Sequence, residues 1–352
     1  VDGYAIHAED LGPAGETRLP VIGRAAAGHP FAAAVPRGAA LRIFTGALMP
    51  AGPDTVVMQE DCRLEGEVVV LPSGLKRGSN RRRAGEDVRA GTTVLAAGMR
   101  LRPQEIGLAA AIGCSHLTVA RQLRAAVFST GESSIHDSNR QGLGALLRQL
   151  GIVVADGGIL SNDRARIDAA LKAAAVENDV VLTSGEVFHG EEDHLSAAVE
   201  ALGSLRLWQL AVKPGRAVAI GELRGGELAG AGRTRPVSFI GLPGNPVAAI
   251  TAFFCLARPI LLRLMGAGDL TAPRYRLSAG FAHRKKPGRR EFLRARLTPG
   301  GDGDVTVLTY PAQGSGILSS LLAADGLVEL PETLTKVERG SMVDFLPFDE
   351  IG

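Results

Sequence analysis

Apolar positions follow two different patterns along this chain. Over about 1–78, and again from about 268, they come in short runs bounded by Gly and Pro, as at 55–58, 68–71, 275–279, 292–297, 305–308, 326–330 and 341–345. Runs of this kind predict short strands joined by turns, and the later set suggests a small β-barrel. Between them, 79–121 reads as a connecting region. It has one helix candidate over 104–112, with Pro103 ahead of it in the position proline favours at a helix start.

Over about 122–267 the pattern changes. The apolar stretches 125–128, 152–155, 180–183 and 237–240 alternate with segments of helical period, such as Leu143, Leu146, Leu147 and Leu150. Asp137-Ser138-Asn139 and Ser161-Asn162-Asp163 supply caps ahead of two of these segments. Leu195, Val199 and Leu202 mark a third helix, and a fourth runs from Val247 to about Met265. Strand–helix alternation predicts a mostly parallel sheet with helices on both faces, and ligands of such sheets bind at the carboxyl ends of the strands. The divisions read from these patterns are 1–78, 79–121, 122–267 and 268–352.

Composition sharpens this picture in two places. Glycine makes up 45 of 352 residues, well above its ordinary share of roughly 7%, in a chain apolar enough to fold. The excess therefore belongs to turns and loops. The 39 basic residues nearly balance the 37 acidic ones, so no global charge points to nucleic acid or an anionic membrane. Three widely spaced cysteines with no CxxC fit a reducing, cytoplasmic setting. The uncharged stretch 236–257 is interrupted by Gly241, Pro243, Gly244 and Pro246, so it reads as strand, tight loop and buried helix, not as a membrane span. No leader pattern is visible, but the abrupt opening at Val1-Asp2-Gly3-Tyr4 leaves targeting open.

Three loops follow three of the predicted parallel strands and should lie at one sheet edge. They are Ser129-Thr130-Gly131-Glu132, then Thr183-Ser184-Gly185-Glu186 running on to His189-Gly190-Glu191-Glu192-Asp193, and Gly241-Leu242-Pro243-Gly244-Asn245-Pro246. Small residues, hydroxyls and free backbone N–H groups leading into helices are the means by which a phosphate is held. Glu191 and Asp193 would repel a phosphate unless Mg²⁺ lay between them. The same acids equally suit a plain helix N-terminus. His189 and His194 read as solvated loop residues in preference to metal ligands. Lys213-Pro214-Gly215-Arg216 places two cations on one turn, which is either a surface turn or a means of neutralising a dianion. No GxxxxGK[ST], GxGxxG or GxSxG pattern occurs, which removes Walker-type, Rossmann and nucleophile-elbow sites.

The ordered set of motifs resembles the MoeA family, the molybdopterin molybdenumtransferases, related to the E domain of gephyrin. It comprises Asp2-Gly3-Tyr4-Ala5, Ile43-Phe44-Thr45-Gly46-Ala47, Asp54-Thr55-Val56-Val57-Met58-Gln59-Glu60 and Gly85-Glu86-Asp87-Val88. Then come Ser129-Thr130-Gly131, Asp137-Ser138-Asn139, Thr183-Ser184-Gly185, Lys213-Pro214-Gly215-Arg216 and Gly241-Leu242-Pro243-Gly244-Asn245-Pro246. The tail adds Gly288-Arg289-Arg290-Glu291-Phe292 and Gln313-Gly314-Ser315-Gly316.

The resemblance implies an α/β multidomain chain. It would have a β-rich N-terminal domain, a MogA-like three-layer α/β/α domain with a mostly parallel sheet, and a C-terminal β-barrel. It implies Mg²⁺-dependent insertion of molybdate into adenylylated molybdopterin with release of AMP, by a homodimer served transiently by a molybdopterin adenylyltransferase. On that basis Ser129, Thr130, Gly131, Ser184, Gly185, Gly190, Pro243, Gly244, Asn245, Pro246, Arg289 and Ser315 would bind the substrates. Asp2, Thr45, Glu132, Glu191, Asp193, Lys213 and Arg216 would be the reactive set, with Asp193 and Glu191 as Mg²⁺ ligands. Two departures from the family pattern, a shortened loop at Glu132 and Glu186 where the family carries glycine, keep a non-catalytic molybdopterin-binding or scaffold paralogue as the alternative.

Overall fold

The computed structural model describes residues 1–131, 137–185, 194–224, 235–300 and 303–350. By contacts the chain forms two compact units, Val1–Val94 and Leu95–Gly352. The first holds a six-stranded sheet in the order β4-β1-β3-β2-β6-β5. Its strands are β1 (Gly3–Ile6), β2 (Thr17–Ala25), β3 (Ala40–Ile43), β4 (Thr55–Met58), β5 (Arg63–Glu65) and β6 (Val68–Leu71). The runs at 55–58 and 68–71 are strands over those same residues. Tyr4, Ile6, Val57, Val69 and Leu71 fill one side of the sheet, and Ala5, Leu41, Ile43 and Val56 the other.

The second unit begins with α1 (Pro103–Ala111), opened by Pro103 as expected. Glu105 accepts from the Arg102 backbone N at 2.8 Å and from its Nη2 at 2.6 Å. These bonds to Arg102, outweighing desolvation, hold the Glu105 carboxyl down at about 2. Then come β7 (Arg124–Thr130), α2 (Ser138–Gln149), β8 (Val153–Leu160), α3 (Arg164–Glu177), β9 (Val180–Gly185), α4 (His194–Leu202) and β10 (Gly203–Gln209). They are followed by β11 (Val212–Lys213), β12 (Ala217–Leu223), β13 (Val237–Pro243) and the helix α5 (Pro246–Leu264). Asp137 and Asp163 cap α2 and α3, accepting from the backbone N of Arg140 at 3.0 Å and of Arg166 at 2.8 Å. Each such cap stabilises its helix by about 1 kcal/mol.

The sheet order is β10-β12-β13-β9-β7-β8. β8, β7, β9 and β13 run parallel, while β12 and β10 add an antiparallel pair at one edge. The strand-like reading of 207–212 overlaps β10 and β11, whereas β12 is an addition, since no strand was expected at 217–223.

Alternation along each strand divides the core into two layers. Ala125, Val127, Leu182 and Ile240 pack with Leu143 and Leu147 of α2 and Phe253 and Leu261 of α5. Ala126, Phe128, Val181 and Phe239 pack with Ile167 and Leu171 of α3 and Leu195 and Val199 of α4. α5 is long and apolar enough to cross a membrane by length and composition. Its residues Val247, Ala249, Ala252, Phe253, Ala257 and Leu261 are instead buried in the protein's own core. A π-helical turn at Phe253–Ala257 lies within it.

The remaining strands are β14 (Tyr275–Ala279), β15 (His283–Arg284), β16 (Arg290–Pro299), β17 (Val305–Thr309), β18 (Gly326–Leu330), β19 (Lys336–Val337) and β20 (Met342–Pro347). The order β16-β17-β14-β20-β18 closes on itself through β16–β18 pairing, forming a five-stranded barrel. β11 adds in parallel to β16, with Lys213 opposite Glu291.

All three cysteines are free thiols. Burial pushes the Cys255 thiol up to about 12 and the Cys62 thiol up to about 11, whereas Cys114 is exposed. At pH 8 iodoacetamide is expected to modify Cys114 well before the other two, because only the thiolate reacts. A mass-spectrometric time course checks this. Equal rates at all three positions would contradict the burial of Cys62 and Cys255.

Candidate functional site

Cross-strand register brings the three loops together. Ser129 at the end of β7 lies opposite Ser184 of β9, and Ser184 opposite Leu242 of β13. Ser129, Thr130 and Gly131, then Ser184 and Gly185, then Pro243, Gly244, Asn245 and Pro246 therefore share one edge. The Ser184 hydroxyl donates to the Pro243 carbonyl at 2.9 Å. Asn139, in the first turn of α2, donates through Nδ2 to Ser184 Oγ at 2.9 Å and to the Gly244 carbonyl at 2.6 Å. One amide thus ties α2 to the second and third loops. The Asp137 carboxyl sits below its ordinary range. Burial works to raise it, and the bonds from the Arg140 backbone N at 3.0 Å and Nε at 2.7 Å outweigh that. The buried Ser129 Oγ and Thr130 Oγ1 at this edge have no hydrogen-bond partner among the described residues, and Thr130 Oγ1 packs against Gly185. Glu132, Gly190, Glu191 and Asp193 lie outside the described residues.

A cleft of about 410 Å³ in the second unit gathers six of the predicted residues: Lys213, Arg216, Pro243, Asn245, Arg289 and Ser315 all line it. The Lys213–Arg216 turn is held close to α5. Gly215 has φ +102°, and a Cβ there would stand 3.0 Å from the Ala248 carbonyl oxygen, so the turn requires glycine. Opposite, the backbone N–H of Val247 donates to the Ser315 carbonyl at 3.2 Å, joining α5 to the barrel loop.

The electrostatics of this cleft are lopsided. Glu291 is the single carboxylate among its lining residues and is only 2% exposed. Lys213 Nζ donates to Oε1 at 3.4 Å, and His283 Nε2 lies 3.1 Å from Oε2. Burial works to raise the Glu291 carboxyl, but His283 and then Lys213 bring it below the usual carboxylate value. Its stabilising contribution is therefore present above the ordinary glutamate range and is lost as pH falls through the lowered value.

Lys213 and Glu291 cancel in charge. Arg216 donates to the neutral Gln209 at 2.7 Å. Among the described residues neither Arg216, Arg289 nor Arg294 forms an ion pair, and all three line the cleft. Arg216 and Arg289 present two uncompensated guanidinium groups to the concave surface, with the buried Arg294 behind its wall, and together they attract a multiply charged anion.

Glu291, His283, Arg294 and Asn139 were not among the candidate residues. Glu291 and Asn139 stood inside quoted motifs. The parallel pairing of β11 with β16, which sets Glu291 against Lys213, was the structural step that linked them.

In the first unit Asp2 and Thr45 meet each other. Asp2 Oδ1 accepts from the Thr45 backbone N and from Thr45 Oγ1, both at 2.9 Å. The same two bonds lower the Asp2 carboxyl.

Three family models match successive parts of the chain. They are described as MoeA N-terminal region (domain I and II) over 1–113, probable molybdopterin binding domain over 111–263, and MoeA C-terminal region (domain IV) over 276–348. The chain is 34% identical to the molybdopterin molybdenumtransferase of Haemophilus influenzae, across all of this chain and 87% of that one. It is 32% identical to molybdopterin molybdenumtransferase 2 of Mycobacterium tuberculosis, across 97% of this chain and 86% of that one. The crystal structure of the molybdopterin biosynthesis moeA protein from Pyrococcus horikoshii superposes with a TM-score of 0.77 at 26% identity, covering 99% of this chain and 86% of that one.

Proposed function

This chain belongs to the MoeA family of molybdopterin molybdenumtransferases, and from that premise we propose that it inserts molybdate into adenylylated molybdopterin with release of AMP. It is a transferase of molybdenum cofactor biosynthesis. The observation that carries the proposal is the cleft lined by Lys213, Arg216 and Arg289 with a single carboxylate, Glu291, and with Arg294 buried behind its wall. That charge surplus suits a tetrahedral dianion such as molybdate. The loops at Ser129–Gly131, Ser184–Gly185 and Pro243–Pro246 supply a phosphate-binding edge for the pterin phosphate and the nucleotide. Pro243 and Asn245 belong both to that edge and to the cleft wall, so the turn joins the two substrate regions. Lys213 and Arg216 would stabilise charge developing on the phosphoanhydride as AMP leaves.

Among the described residues no group of three or more His, Cys, Asp or Glu could hold a metal ion. The Mg²⁺ assignment therefore rests on Glu191 and Asp193, which would hold the ion against phosphate oxygens. Mg²⁺ would supply charge neutralisation there. We also assign this protein a homodimeric state, a cytoplasmic location, and a molybdopterin adenylyltransferase as transient supplier of substrate. The four divisions 1–78, 79–121, 122–267 and 268–352 are its proposed domains, with Asp2 and Thr45 contributed to the site across the dimer.

Asp193→Ala is expected to lower Mg²⁺-dependent AMP release by about two orders of magnitude, with molybdate binding retained. Measuring turnover against Mg²⁺ concentration for both proteins tests this. Unchanged turnover and an unchanged Mg²⁺ response in the variant would remove Asp193 from the site.

A further inference from the structure

β16 carries arginines at 290 and 294 that the structure treats differently. Arg290 is spoken for by carboxylates, reaching Glu329 at 2.6 Å and Glu332 at 3.1 Å. Arg294 is 0% exposed and forms no ion pair among the described residues. Its guanidinium is fully inside the protein, and burial lowers its proton affinity. Nε donates to Ser320 Oγ at 2.9 Å, and Nη2 donates to the carbonyls of Ala312 at 3.2 Å and Gly314 at 3.0 Å. Nη1 has no acceptor among the described residues. The Arg294 backbone N donates to Gln313 Oε1 at 3.0 Å, and Gln313 Nε2 returns a bond to the Arg294 carbonyl, also at 3.0 Å.

Residues 312–314 are therefore gripped by one arginine through its backbone and its side chain together. Ser315 follows directly and lines the cleft with Arg289 and Arg294 itself. Burying a charge without a counter-charge is costly, and here three neutral acceptors, the Ser320 hydroxyl and the Ala312 and Gly314 carbonyls, offset that cost. A guanidinium fork is needed to reach two carbonyls and a hydroxyl in different directions, which a lysine ammonium on a flexible stem does not reproduce.

We propose that Arg294 is the positioning residue of the oxyanion cleft: its buried fork fixes the 312–314 turn, and through it Ser315, in the geometry that receives a tetrahedral dianion. This rests on the molybdate reading above. The acceptor set explains why the residue is arginine, and the missing carboxylate explains why the cleft stays cationic at its wall.

The test measures molybdate binding by calorimetry, and KM for molybdate and for adenylylated molybdopterin separately, in the full chain. Arg294→Lys is expected to raise the molybdate Kd and KM by roughly 10- to 100-fold, the effect of losing hydrogen bonds from a charged group. KM for the pterin substrate should stay at the wild-type value. Ser320→Ala, which removes the Nε acceptor and keeps the arginine, is expected to raise the molybdate Kd in the same direction by less. It carries the test if Arg294→Lys does not fold. Wild-type affinity for molybdate in a folded Arg294→Lys or Ser320→Ala protein would overturn the positioning role while leaving the functional reading intact. An equal rise in both KM values would overturn it too, since that marks general disruption. A wild-type protein that binds no molybdate would remove the functional reading itself, and this role with it.

Discussion

Lys213→Ala is expected to lower molybdate-dependent turnover by about 100-fold or more, the scale at which single charge-stabilising groups contribute in preorganised sites. Two effects act together. The lysine is a cation of the cleft, and it is also the partner of Glu291 Oε1 at 3.4 Å. Removing it leaves a carboxylate that is 2% exposed with His283 as its remaining neighbour. A dianion entering the cleft then meets a lost attraction and a new repulsion. The pH response separates the two. Glu291 sits below its ordinary value partly because of Lys213, so without the lysine it protonates at higher pH. The defect of Lys213→Ala should therefore shrink as pH falls toward the carboxylate range. Adding Glu291→Gln to the variant should recover part of the loss at neutral pH. Steady-state AMP release across pH 5–8 for the single and double variants checks both statements. A double variant no better than Lys213→Ala would contradict the charge-balance account.

Gly185→Ala is expected to destabilise the second unit by about 3 kcal/mol, through strain and overpacking combined. Gly185 ends β9 with φ +154°, which L side chains rarely adopt, and a Cβ there would fall 1.7 Å from Thr130 Oγ1 and 2.9 Å from the Thr130 carbonyl oxygen. The first and second loops meet at this point, so relief of the clash has to spread the sheet edge at the proposed phosphate site. Binding of the pterin substrate should be lost along with stability. Gly107, inside α1, provides the opposite case. Nothing lies within 4 Å of a Cβ there, and Gly107→Ala should stabilise by up to ~1 kcal/mol through helix propensity. Denaturant unfolding of both variants tests the pair of signs. A neutral Gly185→Ala would mean that the loops are not packed as described.

Much of the second unit was legible because its physics is periodic. Residues 143, 147 and 150 repeat at helical spacing and are buried on one face, and Asp137 and Asp163 act as the caps their positions suggested. The gathering of the three loops was legible because strand ends in a parallel sheet share an edge, and the register of Ser129, Ser184 and Leu242 shows that shared edge. The antiparallel strand at 217–223 was not, because Ala-Val-Ala-Ile-Gly-Glu-Leu lacks both a clean alternation and a following helix.

Arg294 was hidden for a different reason. A charged residue in a strand reads as solvent-facing, and only the tertiary structure shows that Arg294, on the face opposite the barrel-core residues Leu293 and Ala295, is covered by the 312–320 segment. Glu291 and His283 gain their meaning from Lys213, which is distant in sequence and reaches them only through the short β11–β16 pairing. Those contacts are products of tertiary structure, beyond what a local pattern carries.

The central claim is that the cationic cleft and the phosphate-binding edge act together on two substrates. AMP release from adenylylated molybdopterin by the purified protein, measured with Mg²⁺ present and molybdate either supplied or withheld, tests this most directly. The account predicts release that requires molybdate and saturates with it. Release at the same rate without molybdate, or none with it, would contradict the account.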